Sequence, residues 1–157
     1  MTAIYAKKQR ALCIVSWGLA AACMAMIFWF SHQTGSASQS LSDGVLARIL
    51  EIVGLLIPSA VIRKAAHAAE FALLAVLLFH ALYRTCGRGR PALAWGLTVL
   101  YAVTDELHQL FVPGRACRFF DVCVDAAGAL AGVLFCLLLL ALLKKRRLGR
   151  PKKEPHP

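Results

Sequence analysis

Residues 101–132, YAVTDELHQLFVPGRACRFFDVCVDAAGALAG, place Asp105, Glu106, His108, Gln109, Arg115, Asp121 and Asp125 inside or beside two long apolar runs. A second set, Arg63, His67 and Glu70, opens an earlier apolar run at i, i+4 and i+7, so its side chains share one helical stripe. An imidazole with a carboxylate to orient it is the common general acid–base arrangement. That makes His67 and His108 the proton-transfer candidates, with Glu70 or Asp105 to orient them. Arg63, Arg115 and Arg118 carry forked donors suited to a phosphate or a carboxylate. Such a set supports hydrolysis or group transfer at a headgroup. No Ser–His–Asp or Cys–His signature singles out a nucleophile.

Two other uses are open to the same residues. His67, Glu70, Asp105, His108 and Asp125 are of the right type to ligate zinc or another divalent cation, so a metal cofactor is one alternative. An internal salt-bridge network that fixes helix register is the plainer one. Ionisable groups within apolar helices are costly unless paired, hydrated or used, and this many exceed what register needs. Singly, each has an ordinary role as well. Glu106 is off the face of Asp105 and is expected to pair with Arg115 or Arg118. Asp121 is placed to cap a helix N-terminus. Arg63 and Lys64 can reach to headgroups from a helix end. His32 and His80 receive no assignment.

The apolar runs predict an all-α polytopic membrane protein with four transmembrane helices, over about residues 11–30, 63–83, 92–111 and 121–143. A 20-residue helix is about 30 Å long, the thickness of a hydrocarbon core. The first run is longer than the core of a signal peptide, so it is expected to remain as a helix. Between it and the second span, SHQTGSASQSLSDG reads as a turn-rich loop. Residues 45–57 then show a helical apolar stripe with Arg48 and Glu51 off it. This predicts one short interfacial helix in the first outer loop, closed by Pro58. The domain plan is a basic cytoplasmic N-tail (residues 1–10), a four-helix membrane domain (11–143) and a basic cytoplasmic tail (144–157) whose KKRRLGRPKK is too charged and Pro-rich to fold alone.

Depth and facing bring the polar residues together. His67 and Glu70 lie roughly 6 and 10 Å inside the second span, Asp105 about 9 Å inside the third, and Asp125 about 6 Å inside the fourth. Asp121, Asp125, Gly128 and Gly132 share one face of the last helix, and the Gly128–Gly132 spacing lets a neighbouring backbone come close below the acids.

Composition agrees with a membrane setting: 59% of residues are hydrophobic and the mean hydropathy is +0.65. The net charge of +10 is distributed as a topology signal. Thirteen of the 18 Lys and Arg fall at Lys7, Lys8, Arg10, Arg84, Arg88, Arg90 and seven positions from Lys144 to Lys153. With both termini cytoplasmic these all face inward, and the polar cluster faces outward with seven acids. No nucleic-acid-binding module accompanies the basic stretches. The partner expected from charge is the lipid bilayer. Six cysteines form no metal or disulfide framework, and whether Cys117 and Cys123 pair is open.

Three ordered motifs, RKAAHAAE (63–70), TDELHQLFVPGR (104–115) and DVCVDAAGALAG (121–132), make the chain resemble the VanZ-like family of small bacterial membrane proteins. The likeness begins at Ser31 and Gln33 of FSHQ and departs at Ala68, where members often carry an aromatic. The resemblance implies a bacterial plasma-membrane location and a cell-envelope context. The family takes its name from a protein linked to resistance to teicoplanin, a glycopeptide antibiotic, and implies no settled catalytic activity. The expected site thus has His67, Glu70, Asp105 and His108 as catalytic candidates. Ser31, Gln33, Arg63, Lys64, Glu106, Gln109, Arg115, Asp121 and Asp125 are expected to bind a lipid or lipid-linked envelope precursor. The alternative is a non-catalytic binding, shielding or structural protein of the envelope.

Overall fold

The computed structural model describes residues 3–53 and 58–148, and the chain there is all-α. Five helices follow in order: α1 (Ala3–Ser31), α2 (Gly35–Val53), α3 (Ser59–Cys86), α4 (Pro91–Gln109) and α5 (Phe119–Leu148). Three segments are long and apolar enough to cross a membrane: Lys7–Ser31, Ala60–Cys86 and Phe119–Arg146. Their outer faces suit hydrocarbon, since Ile14, Leu134, Phe135 and Leu138 are all more than half exposed. Helix α4 is shorter, and Asp105, Glu106 and His108 make its last turns polar.

The helices stand as two parallel pairs of opposite direction. Ser16 Oγ meets His80 Nδ1 at 3.1 Å and Trp17 Nε1 donates to Thr85 Oγ1, which sets α1 antiparallel to α3. The Tyr101 hydroxyl donates to the Met24 carbonyl at 2.7 Å and Ser31 reaches Asp105, which sets α4 parallel to α1. Helix α3 is central, with Phe71, Leu74 and Ala75 fully buried. Helix α5 lies against it in parallel, because Gly128 and Gly132 present no side chain to the backbone carbonyls of Ala68 and Ala72. A Cβ at either glycine would collide with those oxygens.

Three boundaries differ from the reading of the chain. Residues 35–44, expected as loop, form the first half of α2. Their small polar side chains satisfy themselves on the helix: Ser40 donates to the Ser36 carbonyl, Ser42 to that of Ser38, and Gln39 to Asp43. Ser38 and Ser42 are buried. The expected interfacial helix is thus the later part of a longer one, and residues 54–57 lie outside the described region. Helix α3 begins at Ser59, ahead of the expected start at residue 63, with Pro58 before it and the Pro58 carbonyl accepting from the amides of Val61 and Ile62. The expected closing of α2 by Pro58 falls on residues outside the described region. Helix α5 runs on through Lys144, Lys145 and Arg146 to Leu148, where positive charge complements the helix C-terminus.

The turns are set by special residues. Gly87 takes φ 68° after α3 and its amide bonds to the Tyr83 carbonyl, a left-handed cap that suits glycine. Pro91 begins α4, where a missing N–H costs nothing. Between α4 and α5, Gly114 has φ 75°, and the neighbouring Pro113 carbonyl accepts from the Gly35 amide at 3.1 Å. The α4–α5 loop is therefore tied to the first residue of α2.

Candidate functional site

The ends of α1 and α4 meet the beginnings of α2, α3 and α5, and the sequence-singled residues gather there in three groups. The most enclosed is a triad. Ser31, fully buried, donates to Asp105 Oδ2 at 2.7 Å, and Gln109 Nε2 donates to the same oxygen at 3.2 Å and to Ser31 Oγ at 3.4 Å. The other oxygen, Asp105 Oδ1, is buried without a hydrogen-bond partner.

The second group lines a cavity of about 480 Å³ between α3, the α4–α5 loop and α5. Arg63, Lys64 and His67 face it from α3, and Asp121 and Asp125 from α5. Glu106, Gln109, Arg115 and Arg118 complete the polar lining, with Gln39 from α2. Most of these groups are engaged. Arg63 Nη1 donates to Gln39 Oε1 at 3.2 Å, and Lys64 forms an ion pair with Asp121 while standing 4.7 Å over the Phe120 ring. Glu106 accepts from the backbone amide of Arg118 at 3.0 Å. The pairing expected between Glu106 and an arginine side chain is thus made by the backbone of one of them. The carboxylate holds the start of α5 in place rather than a guanidinium.

Arg115 also departs from expectation. Its Nε donates to the Gln33 carbonyl and its Nη2 to the Phe30 carbonyl, each at 3.2 Å. It therefore caps the end of α1, where free carbonyls and the helix dipole attract a cation. Gln33, expected as a binding side chain, contributes here through its backbone. Burial, helped by Arg63, pushes the Arg115 guanidinium below its ordinary value, against the pull of Asp105, Glu106 and Glu70.

Asp125 differs from all of these. Its side chain is 2% exposed, it lines the cavity, and its Oδ1 is buried without a partner. It sits one turn before Gly128, where α5 touches the α3 backbone, so its depth is set by a close backbone contact. A carboxyl without a partner at such a place is the kind of group that native structures keep for a use.

The third group lies apart. His108 does not line the cavity; its Nε2 is 3.2 Å from His32 Nδ1, and its ring packs on Phe28 with centroids 4.6 Å apart. Glu70 lines a second, more apolar cavity of about 300 Å³ between α2 and α3. Among the described residues no three His, Cys, Asp or Glu side chains come together as ligands for one ion. The five residues that could have ligated a metal are divided among the three groups and this second cavity. All six cysteines are free thiols, including Cys117 and Cys123.

The VanZ/LLP1 family model matches residues 16–141, which take in the core of every helix and every group just described. The chain belongs to the VanZ family. Searches of curated proteins and of solved structures each gave no match. The three VanZ-like motifs correspond to three pieces of one site: 63–70 forms the α3 wall, 104–115 the triad and the loop, and 121–132 the α5 wall with its glycine contact.

Reading the sequence missed His32, Gly35 and Gln39. His32 and Gln39 fell in a stretch taken for loop. The Gln39–Asp43 spacing of i, i+4 was the one available sign that the stretch is helical.

Proposed function

We propose that this VanZ-family chain crosses the membrane four times, with α4 as the third span and both termini cytoplasmic. In this reading α2 lies at the outer interface, and the polar cavity binds or modifies the headgroup of a cell-envelope lipid or lipid-linked precursor on the extracytoplasmic side. The alternating direction of α1, α3, α4 and α5 and the inward bias of Lys and Arg support the topology. The membrane domain is then residues 11–143, flanked by basic cytoplasmic ends. The observation that carries the site is Asp125, a carboxyl without a partner in the cavity wall, with His67 and four cationic side chains around the same space. A headgroup bearing an anion and a proton to give or take answers both features.

His67 and Asp125 are the proton-transfer pair of this reading, and Arg63 and Arg118 hold the anion. Replacing His67 by Ala and Asp125 by Asn at unchanged expression is expected to lower turnover about 100-fold. In cells that appears as an altered lipid or cell-wall precursor profile, with altered glycopeptide susceptibility as a second readout. If profile and susceptibility both stay at wild type in the two variants, the polar-site reading fails. A second reading, binding or shielding without chemistry, draws on the cavity lining, which holds no hydroxyl or thiol side chain. Changed susceptibility with an unchanged profile selects it.

Two native cysteines test the orientation. Cys117 in the α4–α5 loop and Cys86 at the end of α3 are both exposed, at opposite ends of the bundle. In variants keeping one cysteine each, an impermeant maleimide is expected to label Cys117 on intact cells and Cys86 only after permeabilisation. The reverse pattern overturns the orientation.

A further inference from the structure

The polar cavity and the second one beneath α2 share a wall made of the same three side chains, Arg63, His67 and Arg115. On one side of that wall the lining is charged; on the other it is largely apolar, with Leu41, Val45 and Ile62 contributed by α2 and α3. We propose that the two chambers bind one amphipathic molecule, a lipid phosphate. Its phosphate sits at the shared wall, its polar substituent in the larger chamber, and the first part of its hydrocarbon chain between α2 and α3.

The chemistry on the two sides of the shared wall matches the two ends of such a molecule. Two guanidiniums and an imidazole stand where the polar and apolar spaces meet, which is where an amphiphile carries its anion. Phe30, Leu41, Val45, Ile62 and Ala66 give the second chamber an apolar side that suits hydrocarbon, while Glu70, Ser38 and Ser42 are its polar members. Leu41 and Val45 are 54% and 49% exposed, so the chamber is open at its side and a chain can leave it into surrounding lipid. Helix α2 is built to allow this. Ser42 and Ser38 line the chamber beside Leu41 and Val45, and the Ser42 hydroxyl is turned back onto the Ser38 carbonyl of its own helix. The Gly35–Pro113 hydrogen bond ties α2 to the loop that carries Arg115, so both chambers keep one geometry.

This inference rests on the headgroup reading above and adds the chain. Its test is equilibrium binding to the full-length protein in maltoside detergent, with three probes: hexadecyl phosphate, hexadecanol and inorganic phosphate. Hexadecyl phosphate is expected to bind at least about tenfold tighter than inorganic phosphate, the gain from burying about two methylenes. It is expected to bind at least about tenfold tighter than hexadecanol, the gain from its charge-assisted phosphate contacts. Val45→Trp and Ala66→Trp fill the apolar chamber from opposite helices. Each is expected to weaken hexadecyl phosphate about tenfold and leave inorganic phosphate unchanged, while Arg63→Gln weakens both. Either tryptophan variant suffices if the other does not fold, and the three probes on the wild-type protein decide without variants. Inorganic phosphate binding as tightly as hexadecyl phosphate overturns the two-chamber inference and leaves the headgroup pocket standing. Hexadecanol binding as tightly as hexadecyl phosphate, or hexadecyl phosphate unaffected by both tryptophans, also overturns it. The headgroup reading fails by a different observation, wild-type lipid profile and susceptibility in the His67→Ala and Asp125→Asn strains.

Discussion

Replacing Gly128 by leucine is expected to destabilise the protein by about 3 kcal/mol or to prevent its assembly. The ideal Cβ at this position already collides with the Ala68 carbonyl, and backbone, unlike a flexible side chain, cannot swing away. The same holds for Gly132 against Ala72, so the two substitutions strike the contact that unites α3 and α5. In lipid there is no hydrophobic drive to press helices together, and close backbone approach is what such a pair depends on. Thermal unfolding in detergent reads the effect. Gly18 supplies the comparison, since a Cβ there meets nothing within 4 Å. Gly18→Ala is expected to leave stability unchanged or to raise it by about 0.5 kcal/mol through helix propensity. Equal effects at Gly18 and Gly128 would remove glycine packing as the reason for the α3–α5 contact. Because Asp125 lies one turn from Gly128 and His67 beside Ala68, the substitution should also widen the cavity before it unfolds the chain.

The second large effect is expected at Asp105. Asp105→Ala takes the shared acceptor from two buried donors, the Ser31 hydroxyl at 0% exposure and the Gln109 amide at 4%, and leaves Gln109 only its longer bond to Ser31 Oγ at 3.4 Å. Each donor left unpaired costs about 1–3 kcal/mol, so a loss of about 3 kcal/mol is the expected sum after partial relaxation. Asp105→Asn keeps one acceptor oxygen and should stay within about 1 kcal/mol of wild type. Ser31→Ala on the Asp105→Ala background removes one orphaned donor and should recover part of the loss, the non-additivity that marks a shared network. An additive double mutant would show that the triad does not act as a unit. The triad ties α1 to α4 at the site end, so the Asn variant separates its structural role from any proton chemistry of the carboxyl.

How much of this was legible beforehand differs from residue to residue. Arg63, His67, Asp121 and Asp125, set on shared helix faces by their spacing, line one cavity, because a straight helix converts sequence separation into facing and height with little freedom. The same arithmetic placed Gly128 and Gly132 on the acid-bearing face. It fell short for His108, joined to the shared pocket through its i, i+3 spacing from Asp105, and for Glu70 and Asp105, joined to it by depth, since none of the three lines the larger cavity. Depth fixes height along a helix, but the rotation of α4 about its axis decides whether a residue meets the cavity or the flank. That rotation sends Glu106 and Gln109 to the cavity and His108 to His32. Ser31 and Gln33 were reached only through family resemblance. The structure explains their places differently, Ser31 through its hydroxyl on Asp105 and Gln33 through its carbonyl on Arg115.

The stretch 35–44 failed for another reason. Serine, glycine and asparagine-like composition signals a loop when the chain is free to choose, because these side chains compete for backbone hydrogen bonds. Here the hydroxyls bond back one turn and the small side chains seat α2 on α3, so tertiary contact overrides propensity. The apolar chamber depends on that helix, and was for this reason invisible in the sequence.

By itself, then, the sequence determined the helical class, three of the four expected spans as membrane-length segments, the family and which polar residues share a helix face. Those features depend on local geometry and on the cost of bringing charge into an apolar run, and both can be read along one chain. Only the tertiary structure decided which faces meet. The rotation and register of one helix against another come from contacts far apart in sequence, such as Gly128 on Ala68, Ser31 on Asp105 and Gly35 on Pro113. Those contacts divide one row of costly charges into a buried triad, a cavity wall and a histidine pair, and among the described residues they leave Asp125 Oδ1 at the cavity without a hydrogen-bond partner.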